Sequence, residues 1–264
     1  MIVAWLIAEL VENITEALNG RPLDYVVLSH THYDHIGALP YVRRAWPQVK
    51  VYGAAHGKEV LSRPGALKMM TNLGIAAEEQ YGEGNPEKVL TQGLAIDCIL
   101  GEGDILSLGK TTLVTLEAKG HTDCSLAFVL EPEGIMISNE TTGVLEGEGK
   151  MHTAILKSFE DAMVTLEKCR SYGARRIISP HYGMVPEEYN EAYWALFEKE
   201  AREEKDFVTH LWCAGLTEKE RLAAYVEKYW EEERIKEVPR QAFIVNAKCT
   251  LYAERPSVDE CKNK

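Results

Sequence analysis

Short apolar runs and amphipathic stretches alternate along the first two thirds of the chain. Apolar runs between turn residues are typical of buried strands, and apolar positions three and four residues apart are typical of helices. The pattern predicts strands at residues 23–29, 49–53, 94–99, 112–118, 125–130, 134–138 and 175–179. It predicts helices at residues 2–18, 38–46, 55–62 and 158–171. Strands and helices in this order indicate an α/β fold.

The segment between Ser62 and Gln92 departs from this alternation, because it is polar and contains glycines and two prolines. This composition predicts a long connection that contains short helical turns. Residues 241–247 are mostly apolar and partly β-branched, which predicts a C-terminal strand. Residues 253–264 are predicted to be a frayed tail.

Aromatic residues are concentrated after residue 185. Tyr189, Tyr193, Trp194 and Phe197 recur at helical spacings, and a capping box at residues 217–220 opens a helix that runs to Trp230. Two interpretations stay open for these helices. They cover the core of the domain, or they form a cap that encloses an apolar substrate.

Three histidines and one aspartate follow the predicted strand 23–29 within six residues, in the order His30, His32, Asp34 and His35. Imidazoles and carboxylates are ligands of divalent metals. A strand end can aim the alternate side chains of His30 and His32 at one point. The following turn can bring Asp34 and His35 to a second point nearby. This spacing predicts a site for two metals.

The motif His-x-His-x-Asp-His after an apolar strand resembles the metallo-β-lactamase fold hydrolases. Three later motifs fit the same resemblance in order and spacing: Gly120-His121-Thr122-Asp123, Ser138-Asn139-Glu140-Thr141 and Ser179-Pro180-His181-Tyr182-Gly183. The resemblance covers residues 23–184. It implies an αββα sandwich with a catalytic domain at residues 1–184. Residues 185–264 would be a helical cap and a C-terminal strand, packed on the same domain.

The resemblance also implies the ligand set. His30, His32 and His121 would hold the first metal, and Asp34, His35 and His181 the second. Glu140 occupies the position of the family's usual bridging Asp, and Asn139 replaces a Gly beside it. Glu140 could bridge both metals, bind one of them, or stand off as a base. Asn139 is itself a candidate oxygen ligand. We expect two divalent cations, with zinc as the first choice and iron or manganese as alternatives.

The N-terminus departs from the family pattern. The family usually begins with two or three strands, whereas this chain opens directly into the predicted helix 2–18. About 40 residues of sheet are therefore expected to be missing. Either the sequence is truncated, or another segment covers that sheet edge, which would otherwise expose unpaired backbone.

Composition narrows the function. The net charge of −12 argues against a nucleic-acid binder, because no basic patch compensates for it. The apolar run at residues 1–8 is too short to span a bilayer and lacks the basic start of a signal peptide. The six cysteines are scattered without close pairing, which favours buried or free thiols in a reducing cytoplasm. A homodimer is left open.

The expected chemistry is hydrolysis. Two adjacent cations lower the pKa of a bridging water and supply hydroxide, which attacks a carbonyl carbon. We predict Asp34, Glu140 and Tyr33 as catalytic residues, with Tyr33 or Tyr182 donating a hydrogen bond to the oxyanion. An ester, thioester or lactone of a small apolar acyl group fits an aromatic cap better than an amide does. His56, His152 and His210 are not expected to bind metal.

The layout is similar to the thioesterase branch of the family that includes quinolone-signal response proteins. The motif at residues 29–41, the segment Glu117–Asp123 and the helical extension carry this similarity, and the Asn139-Glu140 pair departs from it. Two other functions stay open. Residues 137–140 are also similar to the di-iron domain of flavodiiron reductases, although His32 stands where those have a carboxylate. A non-catalytic regulatory module that retains metals is the third interpretation.

Overall fold

The computed structural model describes residues 4–82, 85, 89–146, 149–236 and 238–262, with two compact units along the chain. The first unit comprises residues 1–101 and 233–240, and the second comprises residues 102–232 and 241–264. None of the helices in the described parts of the chain is long and apolar enough to cross a membrane.

The first unit contains a three-stranded parallel sheet. Its strands are β1 (Tyr25–Val27), β2 (Lys50–Gly53) and β3 (Cys98–Ile99), and they are neighbours in that order. Its helices are α1 (Ala4–Leu18), α2 (Tyr33–Ile36), α3 (Leu39–Ala45), α4 (Ala55–Leu61) and α5 (Pro64–Tyr81). The core is aliphatic and consists of Leu28, Ile36, Leu39, Val51, Leu61, Leu94 and Ile96.

The second unit contains a six-stranded sheet. Its strands are β4 (Ile105–Ser107), β5 (Thr112–Glu117), β6 (Leu126–Glu131), β7 (Ile135–Ile137), β10 (Arg176–Ser179) and β11 (Gly183–Met184). Their spatial order is β11-β10-β7-β6-β5-β4. All neighbours are antiparallel except β7 and β10, which run parallel. A separate hairpin pairs β8 (Val144–Glu146) with β9 (Lys150–His152).

The helices of the second unit follow mostly after this sheet in sequence. They are α6 (Phe159–Tyr172), α7 (Glu187–Asn190), α8 (Tyr193–Cys213), α9 (Glu218–Tyr229), α10 (Arg240–Ala253) and α11 (Val258–Lys262). The Ser158 side chain accepts a hydrogen bond from the Asp161 amide at the start of α6, and the predicted capping box of Thr217 and Glu220 opens α9. Tyr193 and Phe197 on α8 are completely buried in the core of this unit.

The predicted strands up to residue 179 exist with ends shifted by a few residues, and the four predicted helices match α1, α3, α4 and α6. The start of the first helix, predicted at residue 2, lies outside the described residues. The short strands β4, β8, β9 and β11 were not predicted.

Two secondary-structure predictions were wrong. Residues 64–81 form one long helix, α5, rather than short turns. Gly74 in that helix gives room for a close neighbour, because a Cβ there would come within 2.9 Å of the Val89 side chain. Residues 241–247 are helical, not a strand. The buried positions of α10, from Ala242 and Phe243 to Ala247 and Leu251, recur every three or four residues, and this period becomes visible only over the whole helix.

The cysteine prediction also needs correction. Cys213 at the end of α8 forms a disulfide with Cys261 in α11, so the predicted frayed tail contains a short helix bonded to the unit. The two cysteines are 48 residues apart in sequence. Pairing over such a distance cannot be deduced from spacing alone. Cys124 and Cys169 are buried thiols, as expected.

Candidate metal centre

The predicted ligands fall into two groups, one in each unit. His30, His32, Asp34 and His35 form the N-terminal ligand group, in the first unit. His121, Glu140 and His181 form the C-terminal ligand group, in the second unit.

The N-terminal ligand group lies between the end of β1 and helix α2. His30 is almost fully buried, and its ring lies 4.7 Å from that of His32 and 4.2 Å from that of His35, measured between centroids. A ring nitrogen of His30 lies within 4.8 Å of a ring nitrogen of each of these histidines. Asp34 Oδ2 lies 3.6 Å from His35 Nε2. The four side chains therefore lie close to one another within this unit.

The C-terminal ligand group comes from three turns at strand ends. His121 follows β5, Glu140 follows β7 in a single 3₁₀ turn (Glu140–Thr142), and His181 follows β10. Glu140 and His121 are 3% and 5% exposed, so each functional group is held inside the protein. His181 has φ of 65°, a left-handed conformation that is uncommon for a residue with a side chain and is often found at functional sites.

The hydrogen bond of His121 determines its tautomer. Nδ1 lies 2.6 Å from the carbonyl oxygen of Ala154, which can only accept. In the neutral ring the proton is therefore on Nδ1, and the lone pair that a metal requires is on Nε2. A backbone carbonyl in this role is the usual arrangement behind a metal-binding histidine.

Glu140 and His181 are close enough to share an ion. Oε1 of Glu140 lies 3.0 Å from Nε2 of His181. Two ligand atoms about 2.1 Å from one zinc ion at a tetrahedral angle would be about 3.4 Å apart. Small side-chain movements would therefore let both bind the same cation. The donor set of imidazoles and carboxylates, with one imidazole already in the required tautomer, fits a divalent metal.

Asn139 is not placed as a ligand. Its side-chain oxygen accepts a hydrogen bond from the Thr141 amide at 2.8 Å, and its side-chain nitrogen donates to the Leu126 carbonyl at 2.9 Å. The amide thus caps the 3₁₀ turn that carries Glu140 and ties it to β6. An asparagine directly before a turn is a capping signal, and this could have been recognised from the sequence.

Tyr33 lies between the predicted ligands His32 and Asp34, at the start of α2. Burial raises the pKa of its phenol, and the nearby Asp34 and Tyr81 raise the pKa further. The hydroxyl therefore stays protonated near neutral pH and can donate a hydrogen bond. Tyr182, the alternative donor, is 42% exposed.

The remaining histidines lie outside both ligand groups. His56 Nδ1 is 3.5 Å from Glu59, and His152 Nε2 is 2.6 Å from Glu146 Oε2. His210 is on the exposed side of α8.

Comparison with known sequences gives the family. The sequence model of the metallo-β-lactamase superfamily matches residues 8–181, which is well over half of the chain. The chain belongs to this superfamily, whose members are generally metal-dependent hydrolases. YqgX of Bacillus subtilis (strain 168), named a probable metallo-hydrolase, is 26% identical over 148 residues. The match covers 53% of this chain and 62% of YqgX, so the chain spans less than two thirds of that relative's length.

Solved structures of the superfamily share the fold. The archaeal protein ST1585 from Sulfolobus tokodaii matches with a TM-score of 0.54 at 20% identity, over 70% of this chain and 68% of its own. TTHA1429 from Thermus thermophilus matches with a TM-score of 0.53 at 17% identity, over 88% of this chain and 72% of its own. The predicted fold class is thereby confirmed, together with a helical C-terminal region.

Proposed function

We propose that the two ligand groups together hold two divalent metals, and that the protein hydrolyses an ester, thioester or lactone of a small apolar acyl group. The observation that carries this proposal is the C-terminal ligand group. A tautomer-fixed His121 and a buried Glu140 next to His181 are the arrangement that a metal requires. Membership of the superfamily supports the same conclusion.

Each predicted ligand keeps its role in this proposal. His30, His32 and His121 would hold one metal, and Asp34, His35 and His181 would hold the other. Glu140 would bind one or both of them. When bound, the metals supply hydroxide at neutral pH and an electrophile for the carbonyl oxygen. Zinc is the first choice, with iron or manganese as alternatives.

The residues of the chain supply orientation and proton positions. Ala154 holds the His121 ring in the tautomer that directs Nε2 to a metal. The protonated Tyr33 phenol, placed between two ligands, donates a hydrogen bond to the oxyanion that develops on the substrate. Asp34 and Glu140 neutralise charge and orient the attacking water.

Support for the substrate class comes from where α8 is attached. The Tyr193 hydroxyl lies 3.2 Å from Ser138 Oγ and donates to the Gly143 carbonyl at 3.0 Å. These two residues flank the turn that carries Glu140. The aromatic helical segment therefore starts beside a ligand turn, where a cap over an acyl group would have to be anchored. The similarity to the quinolone-signal response branch and the cytoplasmic location remain predictions.

Metal analysis combined with a substrate panel tests the proposal. The purified protein is expected to contain about two divalent metals per chain and to cleave members of a panel of esters, thioesters and lactones. His121→Ala should lose metal and abolish hydrolysis. His56→Ala is the matched control, because it removes a histidine outside both ligand groups, and it should leave both properties unchanged.

Three results would overturn the proposal. A fully metallated and fully active His121→Ala protein would exclude His121 as a ligand. Iron with oxygen consumption would instead support the flavodiiron alternative, and metal-bound protein that cleaves nothing in the panel would support a regulatory module.

A further inference from the structure

The Thr141 side chain connects two turns that carry ligands. It is completely buried. Its hydroxyl accepts a hydrogen bond from the His121 backbone amide at 3.1 Å and donates one to the Ala118 carbonyl at 2.6 Å. Both hydrogen-bonding roles of this hydroxyl are therefore used on the backbone around the His121 turn.

Thr141 is also the residue next to Glu140. The two share the 3₁₀ turn, whose first residues are fixed by the Asn139 cap. Movement of the Glu140 backbone would therefore move the Thr141 hydroxyl, and with it the His121 amide. The hydrogen bond therefore links the turns of His121 and Glu140, which are 19 residues apart in sequence.

Packing reinforces this link. Gly120 has φ of 137°, and a Cβ at this position would lie 2.7 Å from Thr141 Cγ2 and 2.7 Å from Ala162 Cβ. The methyl group of Thr141 therefore fills the space that the missing side chain of Gly120 leaves. A larger residue at position 120 would therefore clash with Thr141 and displace it.

We propose that Thr141 is a positioning residue, which sets the distance between His121 and Glu140 and so determines how tightly the metals are held. This inference rests on the proposed function. Thr141 is not itself a proposed ligand. It acts through the backbone of His121 and Glu140, which are. Loss of partners behind a ligand typically costs about 10- to 100-fold in metal affinity.

Three substitutions separate positioning from bulk stability. Thr141→Val keeps the shape and removes the hydroxyl. Thr141→Ser keeps the hydroxyl and removes the methyl group. Thr250→Val is the matched control, because Thr250 is another buried threonine of the second unit, on α10 and outside both ligand groups.

The readouts are zinc affinity by chelator competition and the visible spectrum of the cobalt-substituted protein, which reports ligand geometry. Thermal unfolding of the metal-free protein measures the cost to the fold. We expect Thr141→Val to lower zinc affinity by about 10- to 100-fold and to change the cobalt spectrum. Thr141→Ser should restore both, and Thr250→Val should change only thermal stability. If Thr141→Val does not fold, Thr141→Ala, which leaves room for a water between the two backbone groups, should show the same loss of affinity.

The failures are distinguishable. If wild-type protein binds metal and Thr141→Val binds it equally well with the same spectrum, Thr141 has only a structural role and the proposed function stands. If wild-type protein binds no metal, the proposed function fails, and the positioning role fails with it.

Discussion

Nε2 of His181 lies 3.0 Å from Oε1 of Glu140, although the two residues come from turns after different strands, β10 and β7. Parallel neighbours such as β7 and β10 end at the same edge of a sheet, so their following turns meet there. The side chain of Glu140 thus reaches His181 from the position where the family resemblance implies an Asp. The departure in sequence is compatible with a ligand role.

Removing the charge of Glu140 should affect one metal more than the other. We expect Glu140→Gln to reduce metal content from about two ions per chain toward one, because the amide binds cations more weakly than the carboxylate and the remaining histidines still hold the first metal. Metal content by mass spectrometry measures this.

The matched control is Glu146→Gln, which changes another glutamate in contact with a histidine, His152, at 2.6 Å. That pair lies outside both ligand groups, so metal content should not change. Equal occupancy of both sites in Glu140→Gln would remove Glu140 from the ligand set.

The role of Tyr33 is tested by removing its hydroxyl. Loss of one donor to an oxyanion typically lowers kcat by about 10²- to 10³-fold, and we expect Tyr33→Phe to show a loss of that order with metal content unchanged. Burial raises the pKa of this phenol, so the hydroxyl of Tyr33 should contribute no ionisation to the kcat profile between about pH 6 and about pH 9.

Tyr182→Phe is the comparison, since Tyr182 is the alternative donor and is more exposed. If Tyr182→Phe loses much of its kcat and Tyr33→Phe keeps the wild-type kcat, Tyr182 and not Tyr33 is the donor to the oxyanion. Unchanged kcat in both would show that neither hydroxyl contacts the oxyanion.

The aromatic residues after residue 185 differ in what they can do. Phe197 is completely buried in the core of the second unit, so Phe197→Ala should lower the free energy of unfolding by about 3–5 kcal/mol without changing substrate preference. Trp194 and Trp212 are half-buried. If the segment 186–235 determines substrate size, Trp194→Ala or Trp212→Ala should alter KM for bulky esters more than for short ones.

Kinetics on a pair of short and bulky esters, with thermal unfolding of each variant, distinguishes these outcomes. If all three variants lose stability while the ratio of kcat/KM for short and bulky esters stays unchanged, the helices only cover the core. The cap hypothesis is then wrong.

The candidate ligands could be named from the sequence because their signal is local. His30, His32, Asp34 and His35 lie within six consecutive positions, and their spacing alone indicates a metal site. Residues that act through distant contacts gave no such signal. Nothing in the sequence distinguishes Thr141 from other threonines. Its role follows only from the hydrogen bond that its hydroxyl accepts from the His121 amide, 20 residues away. The strand predicted at residues 241–247 failed because β-branched residues gave a local preference that helical packing overrides.

A buried pair of glutamates in the second unit was also invisible in the sequence. Glu204 on α8 is 2% exposed and Glu254, directly after α10, is fully buried. Tyr225 on α9 donates a hydrogen bond to Glu204 at 2.5 Å. Burial raises the pKa of both carboxyl groups, and the neighbouring Glu204 raises the pKa of Glu254 further. Each carboxyl group therefore holds its proton to a higher pH than an exposed glutamate does.

The sign of the pH dependence follows from linkage. A carboxyl group whose pKa is raised in the folded protein holds its proton after the unfolded chain has lost it. The folded state then binds more protons, so stability falls as pH rises from about 4.5 toward the raised pKa. Below about pH 4.5 both states are protonated and this cost is absent.

Replacing Glu254 by Gln removes the ionisation and keeps the shape. We expect Glu254→Gln to match wild-type stability near pH 4.5 and to become progressively more stable than wild type as pH rises to about 8. The slope of this difference should not exceed about 1.4 kcal/mol per pH unit for one proton. Urea unfolding of the metal-free proteins at several pH values measures it. Glu198→Gln is the opposite-sign control, because Arg170 and Arg202 lower the pKa of Glu198, so this variant should be less stable than wild type at neutral pH and approach it in acid. A Glu254→Gln protein whose stability relative to wild type stays constant or falls between about pH 5 and about pH 8 would show that the pair does not hold a proton in this range.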